Sequence, residues 1–163
     1  MKPQGLNNMN EVTDILDKLS IKYKMVIHQP VFTCKEAQSI KNMIDGQGCK
    51  NLFLKNARKE YYLYILPDDK KADLKNIAKS NGSGRFSFAD EDELYNILKL
   101  KKGSVTPFGI INDIEHSVKI LIDTELKGKK LLFHPNINTA TISIDSDDFI
   151  KFIEYEKNEY IFV

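Results

Sequence analysis

The run Tyr61-Tyr62-Leu63-Tyr64-Ile65-Leu66 is apolar at every position, so both of its alternating faces need cover. A strand of that kind belongs in the middle of a sheet, with packed layers above and below it. It follows a second apolar run, Lys50-Asn51-Leu52-Phe53-Leu54-Lys55, across the polar segment Asn56-Ala57-Arg58-Lys59-Glu60. Two such runs around a short polar segment predict a β-hairpin.

The rest of the chain supplies the cover. Val12, Ile15, Leu16 and Leu19 recur at helical spacing after Asn10 and predict an opening amphipathic helix, followed by a short strand at Lys24–His28. Thr33 and Glu36 have the spacing of a capping box, which starts a helix carrying Ala37, Ile40 and Ile44 and ending at Asp45–Gly48. A helix through Leu74, Ile77 and Ala78 is stopped by Asn81-Gly82-Ser83-Gly84, and Arg85–Phe88 reads as a short strand. Asp90 and Glu93 form another capping-box pattern ahead of Leu94, Ile97 and Leu98. Strands are expected at Ser117–Asp123, Lys130–His134 and Thr139–Ile144, and Asp145 or Ser146 can cap a last helix with Phe149, Ile150 and Ile153. Helices and hairpins interleave without strict βαβ alternation, so the expected class is α+β, a single domain with a mixed β-sheet packed against helices. Residues 1–9 read as a flexible leader and 10–163 as the domain.

At 163 residues the chain can bury a core without a metal or disulfide scaffold. It has no apolar run of membrane-spanning length and no apolar signal core at its start, so a cytoplasmic place and no membrane partner are expected. With 24 basic and 23 acidic side chains the net charge is +1, which argues against coating long nucleic acids by counterion release and leaves a small footprint on one end open. Cys34 and Cys49 lack zinc or redox spacing and are expected as reduced thiols.

Chemistry can sit in three places. Gly103-Ser104-Val105-Thr106-Pro107-Phe108-Gly109 brackets hydroxyls and an aromatic with residues that permit or fix unusual backbone, the composition of a binding loop or of a structural turn. Lys50 shares alternation parity with Leu52 and Leu54, so its ammonium lies at the rim of an apolar face, with the amide of Asn51 beside it. There it can hold an anionic or carbonyl oxygen, or simply snorkel to solvent. His134-Pro135 breaks an apolar strand, and its imidazole can act as donor, base, pocket wall or structural side chain.

Other chemistries find no support. His28 and His116 have no partners at metal-ligand spacing, so no metal and no cofactor are expected. There is no Gly-x-Ser-x-Gly elbow, Walker loop or dinucleotide fingerprint, which disfavours a covalent intermediate and nucleotide cofactors. The basic clusters Lys55/Arg58/Lys59, Lys70/Lys71 and Lys99/Lys101/Lys102 read as solvated surface unless the fold sets two of them beside one pocket, where they can grip phosphates.

Taken in order, His28-Gln29-Pro30-Val31-Phe32-Thr33, Lys50-Asn51-Leu52-Phe53-Leu54, Gly103 through Asp113 and Phe133-His134-Pro135-Asn136-Ile137-Asn138-Thr139-Ala140-Thr141 resemble the freestanding prolyl-tRNA editing proteins of the YbaK/prolyl-tRNA-synthetase-associated superfamily. The resemblance implies a hydrolase that removes alanine mischarged onto proline tRNA, with water as nucleophile and no metal. It places the catalytic role on Lys50, which holds the substrate near its ester and terminal phosphate. It places substrate contacts on Phe32, Asn51, Gly103, Ser104, Thr106, Pro107, Phe108, Gly109, His134, Asn138 and Thr139. The implied partner is the acceptor end of tRNA(Pro), with docking to the synthetase or an elongation factor open and no DNA partner expected.

An aminoacyl ester is already activated, so positioning it against donors and one cation suffices without a protein nucleophile. Selection by size, admitting alanine and excluding proline, is a second sieve. The family's Asn-Asp-Pro-Glu-His run stands here as Asn112-Asp113-Ile114-Glu115-His116, and the lost proline puts the stiffness of that turn in question. Cysteinyl-tRNA(Pro) as substrate, and a non-catalytic binding module on the same fold, remain the competing readings.

Overall fold

The computed structural model describes residues 4–30 and 34–163. In chain order the elements are α1 (Gln4–Lys18), β1 (Tyr23–Ile27), α2 (Cys34–Met43), β2 (Gln47–Lys55), β3 (Tyr61–Pro67), α3 (Leu74–Asn81), β4 (Ser87–Phe88) and α4 (Glu91–Leu98). Then follow β5 (Val118–Ile122), β6 (Lys130–Phe133), β7 (Ala140–Asp145), α5 (Ser146–Glu156) and β8 (Tyr160–Phe162), with 3-10 helices at Pro107–Asn112 and Thr124–Leu126. The strands form one mixed sheet in the order β1-β7-β6-β2-β3-β5-β8, and β4 pairs with β2. This is the α+β architecture that the interleaved pattern predicts.

The all-apolar run is indeed central. β3 lies antiparallel to β2 and parallel to β5, and Tyr62 through Leu66 are all buried. Its odd-numbered side chains, Leu63 and Ile65, join the main core with Val12 and Leu16 of α1, Leu94 and Leu98 of α4, and Phe149, Phe152 and Ile153 of α5. Its even-numbered side chains, Tyr62, Tyr64 and Leu66, pack with Leu54 and Phe86 and with Ala78 of α3. Farther along that second face, Ile40 and Ile44 cover Leu132 and Val26 near α2. Helices therefore cover the sheet from both sides, and the second side carries two separate patches of cover.

Local chemistry explains the ends of the elements. Asp90 Oδ1 accepts from Glu93 N at 2.8 Å and Glu93 Oε1 accepts from Asp90 N at 3.1 Å, the reciprocal capping box expected for α4. α3 ends where Gly82 takes a left-handed backbone, φ +63°, and its N–H closes on Lys79 O.

Several boundaries differ from expectation. α1 starts at Gln4 rather than after Asn10, so the segment read as leader is helical from Gln4 on; Leu6 and Met9 extend the apolar spacing back from Val12. β2 starts at Gln47, because Gly48 supplies no side chain beneath the Lys41–Asp68 ion pair and lets the strand begin early. β4 is two residues long, and β8, a strand the pattern did not suggest, lies parallel to β5 after a left-handed Lys157 closes α5. The Thr33 cap falls outside the described residues.

Candidate active site

The site grows from a fork in the sheet. β2 runs parallel to β6 with Gln47 opposite Leu131 and Gly48 opposite Leu132, and the pairing stops there. β2 next finds a partner on that edge only at Leu54 and Lys55, opposite Phe88 and Ser87. Between these points β2 and β6 part. Lys50 and His134 each stand two residues past the last pair of their strands, Gly48 opposite Leu132.

The segment after α4 ties the fork together from behind. Asn51 Nδ2 donates to Val105 O at 3.2 Å, and the next residue, Thr106, donates from Oγ1 to His134 O at 2.7 Å. Thr106 Oγ1 also accepts from Phe108 N at 3.4 Å, capping the 3-10 helix, and Asn136 Nδ2 donates to Phe108 O at 3.3 Å. One short stretch of chain thus sets the spacing between the Lys50 strand and the His134 strand.

This changes the reading of the Gly103–Gly109 loop. Thr106, Pro107, Phe108 and Gly109 are buried, and Phe108 meets Phe133, Phe149 and Phe152 edge-on in the main core. These side chains brace the site from behind: the apolar Pro-Phe pair gains more from core burial than from a loop surface. Gly109 is small because a Cβ there would lie 2.6 Å from Leu100 Cδ1 and 3.2 Å from Leu98 Cβ. Only Gly103, Ser104 and Val105 of the loop reach the surface, and Gly103 is left-handed, φ +86°.

On the open face, Lys50 is half-buried, and its ammonium has no ion pair among the described residues. It follows Gly48, which pairs with Leu132 of one patch, and stands opposite Leu66 of the other. His134 Nδ1 donates to Ala140 O at 2.8 Å, which fixes the tautomer and leaves Nε2 as an acceptor with no partner among the described residues. Burial holds the His134 pKa below its ordinary value, opposed by the Ala140 bond and aided by His28.

His28 is the residue that sequence reasoning missed. Its ring centre lies 6.0 Å from that of His134, with Nδ1 donating to Gln29 O and Nε2 accepting from Thr141 Oγ1, both at 2.8 Å. Its backbone N donates to Thr139 O, so Thr139 places His28 with its carbonyl. Spacing along the chain cannot show this pairing, since β1 and β7 are brought together only by the sheet; the His-Gln-Pro segment of the resemblance was the available signal. Asn138 is half-buried in the same turn, and Phe32 lies outside the described residues.

Cys49, one residue before Lys50, is a free thiol whose pKa is pushed up to about 12, by burial first and by Asp68 second. A thiol that resists ionisation is no nucleophile, in keeping with the expectation of a water-based reaction. Much of the basic surface is also committed: Lys55 pairs with Glu93 at 2.6 Å, Arg58 with Glu60 at 2.8 Å and Lys70 with Asp123 at 2.7 Å. Lys102 is exposed at the mouth of the fork, beside Asn51 and Val105.

The Aminoacyl-tRNA editing domain family matches residues 28–152. The chain belongs to this family. It is 38% identical over 147 residues to the prolyl-tRNA editing protein ProX of Acetoanaerobium sticklandii, covering 89% of this chain and 90% of that one. It is 24% identical over 147 residues to the multifunctional Ser/Thr-tRNA deacylase ProXp-y of Escherichia coli strain K12, covering 87% and 86%. A solved structure described as a candidate trans-editing enzyme for prolyl tRNA synthetase superposes with a TM-score of 0.73 at 15% identity, over 99% of this chain and 97% of that one. Editing an aminoacyl-tRNA means hydrolysing its ester, and the chain is a hydrolase of that class.

Proposed function

We propose that this editing domain is a freestanding trans-acting deacylase that removes alanine from tRNA(Pro), and that Lys50 is its catalytic residue. The features that support the reading are an ammonium without an ion pair among the described residues and an imidazole tied through Nδ1 to Ala140 O, each two residues past the point where the β2–β6 pairing stops. The relative of highest identity given above is a prolyl-tRNA editing protein, which favours tRNA(Pro) as partner.

In this account water attacks the acyl carbon, the ester C–O bond breaks, the terminal ribose oxygen takes up a proton and free alanine leaves. Negative charge gathers on the carbonyl oxygen on the way, and a cation held at a fixed place in a half-buried cleft stabilises that charge more than it would in water. Lys50 supplies it, touching the ester and the terminal phosphate. His134 lines the amino-acid pocket with its ring locked by Ala140, and Nε2 accepts a hydrogen bond from the α-amino group of the substrate. Asn51, Gly103, Ser104, Asn138 and Thr139 border the same space, with Thr106 and Phe108 holding it from behind. A pocket of fixed width admits the methyl side chain of alanine and rejects the ring of proline, since steric rejection of a larger group is the discrimination that a rigid site performs best.

The test is a panel of tRNA(Pro) charged separately with alanine, cysteine, serine and proline. Rapid release of alanine with prolyl-tRNA spared is expected; equal release of alanine and cysteine would overturn the specificity, and intact esters throughout would overturn the activity.

A further inference from the structure

The hydrolysis as described gives His28 no task, yet its ring is held more tightly than that of His134. His28 stands just past the end of β1, with Nδ1 donating to Gln29 O and Nε2 accepting from Thr141 Oγ1, each at 2.8 Å. Its backbone N donates to Thr139 O, and Thr141 is itself buried in β7. The ring is therefore fixed in place and keeps no polar atom for a ligand. It is also only half-buried, so a rigid imidazole stands partly in the open.

Its neighbour is His134, with ring centres 6.0 Å apart and planes at 59°. That is the range of direct ring contact, so no ligand group fits between the two and they make one continuous wall. Consecutive residues of β7, Ala140 and Thr141, hold the two rings, so a single strand sets their spacing. The two halves of the wall differ in what they offer. His134 is tied through Nδ1 and keeps Nε2 as an acceptor, whereas both nitrogens of His28 are occupied. A ligand can hydrogen-bond to the first half and can meet the second only by shape. Steric rejection needs a surface of that kind, because a wall that yields does not discriminate.

We infer that His28 is a specificity-determining residue: its locked ring is the part of the amino-acid pocket that meets the substrate side chain, and it stops side chains larger than a methyl group. The inference rests on the deacylase reading and names the residue that sets the width of its pocket. In this geometry the α-amino group is held at Nε2 of His134 while the side chain lies along the wall toward His28. A methyl group fits there; an added methylene, or the ring of proline, strikes an imidazole that three hydrogen bonds keep from moving.

The experiment measures kcat/KM for alanyl-tRNA(Pro) and for the same tRNA carrying 2-aminobutyrate, one methylene longer, and reads their ratio. Both rates come from one preparation, so the ratio does not depend on how much of a variant is folded. Native protein is expected to favour alanine by roughly tenfold or more, the effect of one methylene against a tight pocket, and His28→Ala should bring the ratio to within about threefold. His28→Phe combined with Thr141→Val keeps a ring in place and leaves no buried hydroxyl without its partner, so it should retain the native preference. An unchanged ratio in His28→Ala, no release of either ester by that variant, or a preference lost in the double variant would overturn the wall while leaving the deacylase standing. So would equal release of both esters by the native protein. Release of neither ester by the native protein would overturn the deacylase reading and the wall with it.

Discussion

At the scale of the residue, the decisive contrast is between Lys50 and His134 on one face and Cys49 between them and the core. Burial pushes the thiol up to about 12 and the imidazole below its ordinary value, so both groups favour their neutral forms at neutral pH. The sign for His134 follows. Its folded pKa is depressed, so the unfolded chain binds the proton more tightly; stability is full above about 6.5 and falls as pH drops from there through the folded value. Deacylation should hold its rate until the pH falls to the folded His134 pKa, which lies below the ordinary value, and decline from there as the Nε2 acceptor is lost to protonation. A pH–rate profile of the native chain beside His134→Gln checks this, since the acid limb should move or vanish in the variant; an identical limb in both would assign it to another group. Lys50 was legible because strand parity alone puts it on the face of Leu52 and Leu54. His28 was not, because nothing local connects it to a histidine more than a hundred residues away that only the sheet brings within 6.0 Å.

At the scale of the element, the turn after the 3-10 helix shows how a missing proline is offset. Asp113 is buried, and its carboxylate accepts from Ser117 N, Ser117 Oγ, Val118 N and Asn158 Nδ2, so hydrogen bonds do what ring rigidity would do. The doubt raised by Ile114 is thereby answered: that side chain is 87% exposed and the turn is held elsewhere. Asp113→Ala should cost about 3 kcal/mol, read from urea unfolding, because several buried donors lose a charged partner at once. A loss within a few tenths of a kcal/mol would mean that the turn carries no such weight. The 3-10 helix is where composition says least about burial. Glycine and proline at Gly103, Pro107 and Gly109 mark irregular backbone correctly, yet composition does not tell a surface loop from a buried brace; only the packing of Phe108 against Phe133, Phe149 and Phe152 separates the two.

At the scale of the whole molecule, the class was readable from the interleaving of periodicities, whereas the strand order was not. Parallel pairing of β2 with β6 joins residues far apart in the chain, and β8 completes the sheet from a three-residue apolar segment too short to stand out. That long-range pairing is what makes the site, because the fork exists only where β6 leaves β2 and β4 has yet to join it. The central claim is that the ammonium in this fork is what hydrolyses the ester efficiently. Single-turnover deacylation of alanyl-tRNA(Pro) by the native chain and by Lys50→Ala, at enzyme concentrations that saturate binding in both, tests it most directly. A fall in rate of roughly 10²–10³, the size of losing one preorganised stabiliser of the oxyanion, is the predicted result. A Lys50→Ala protein that binds the tRNA and releases alanine at the native rate would contradict it.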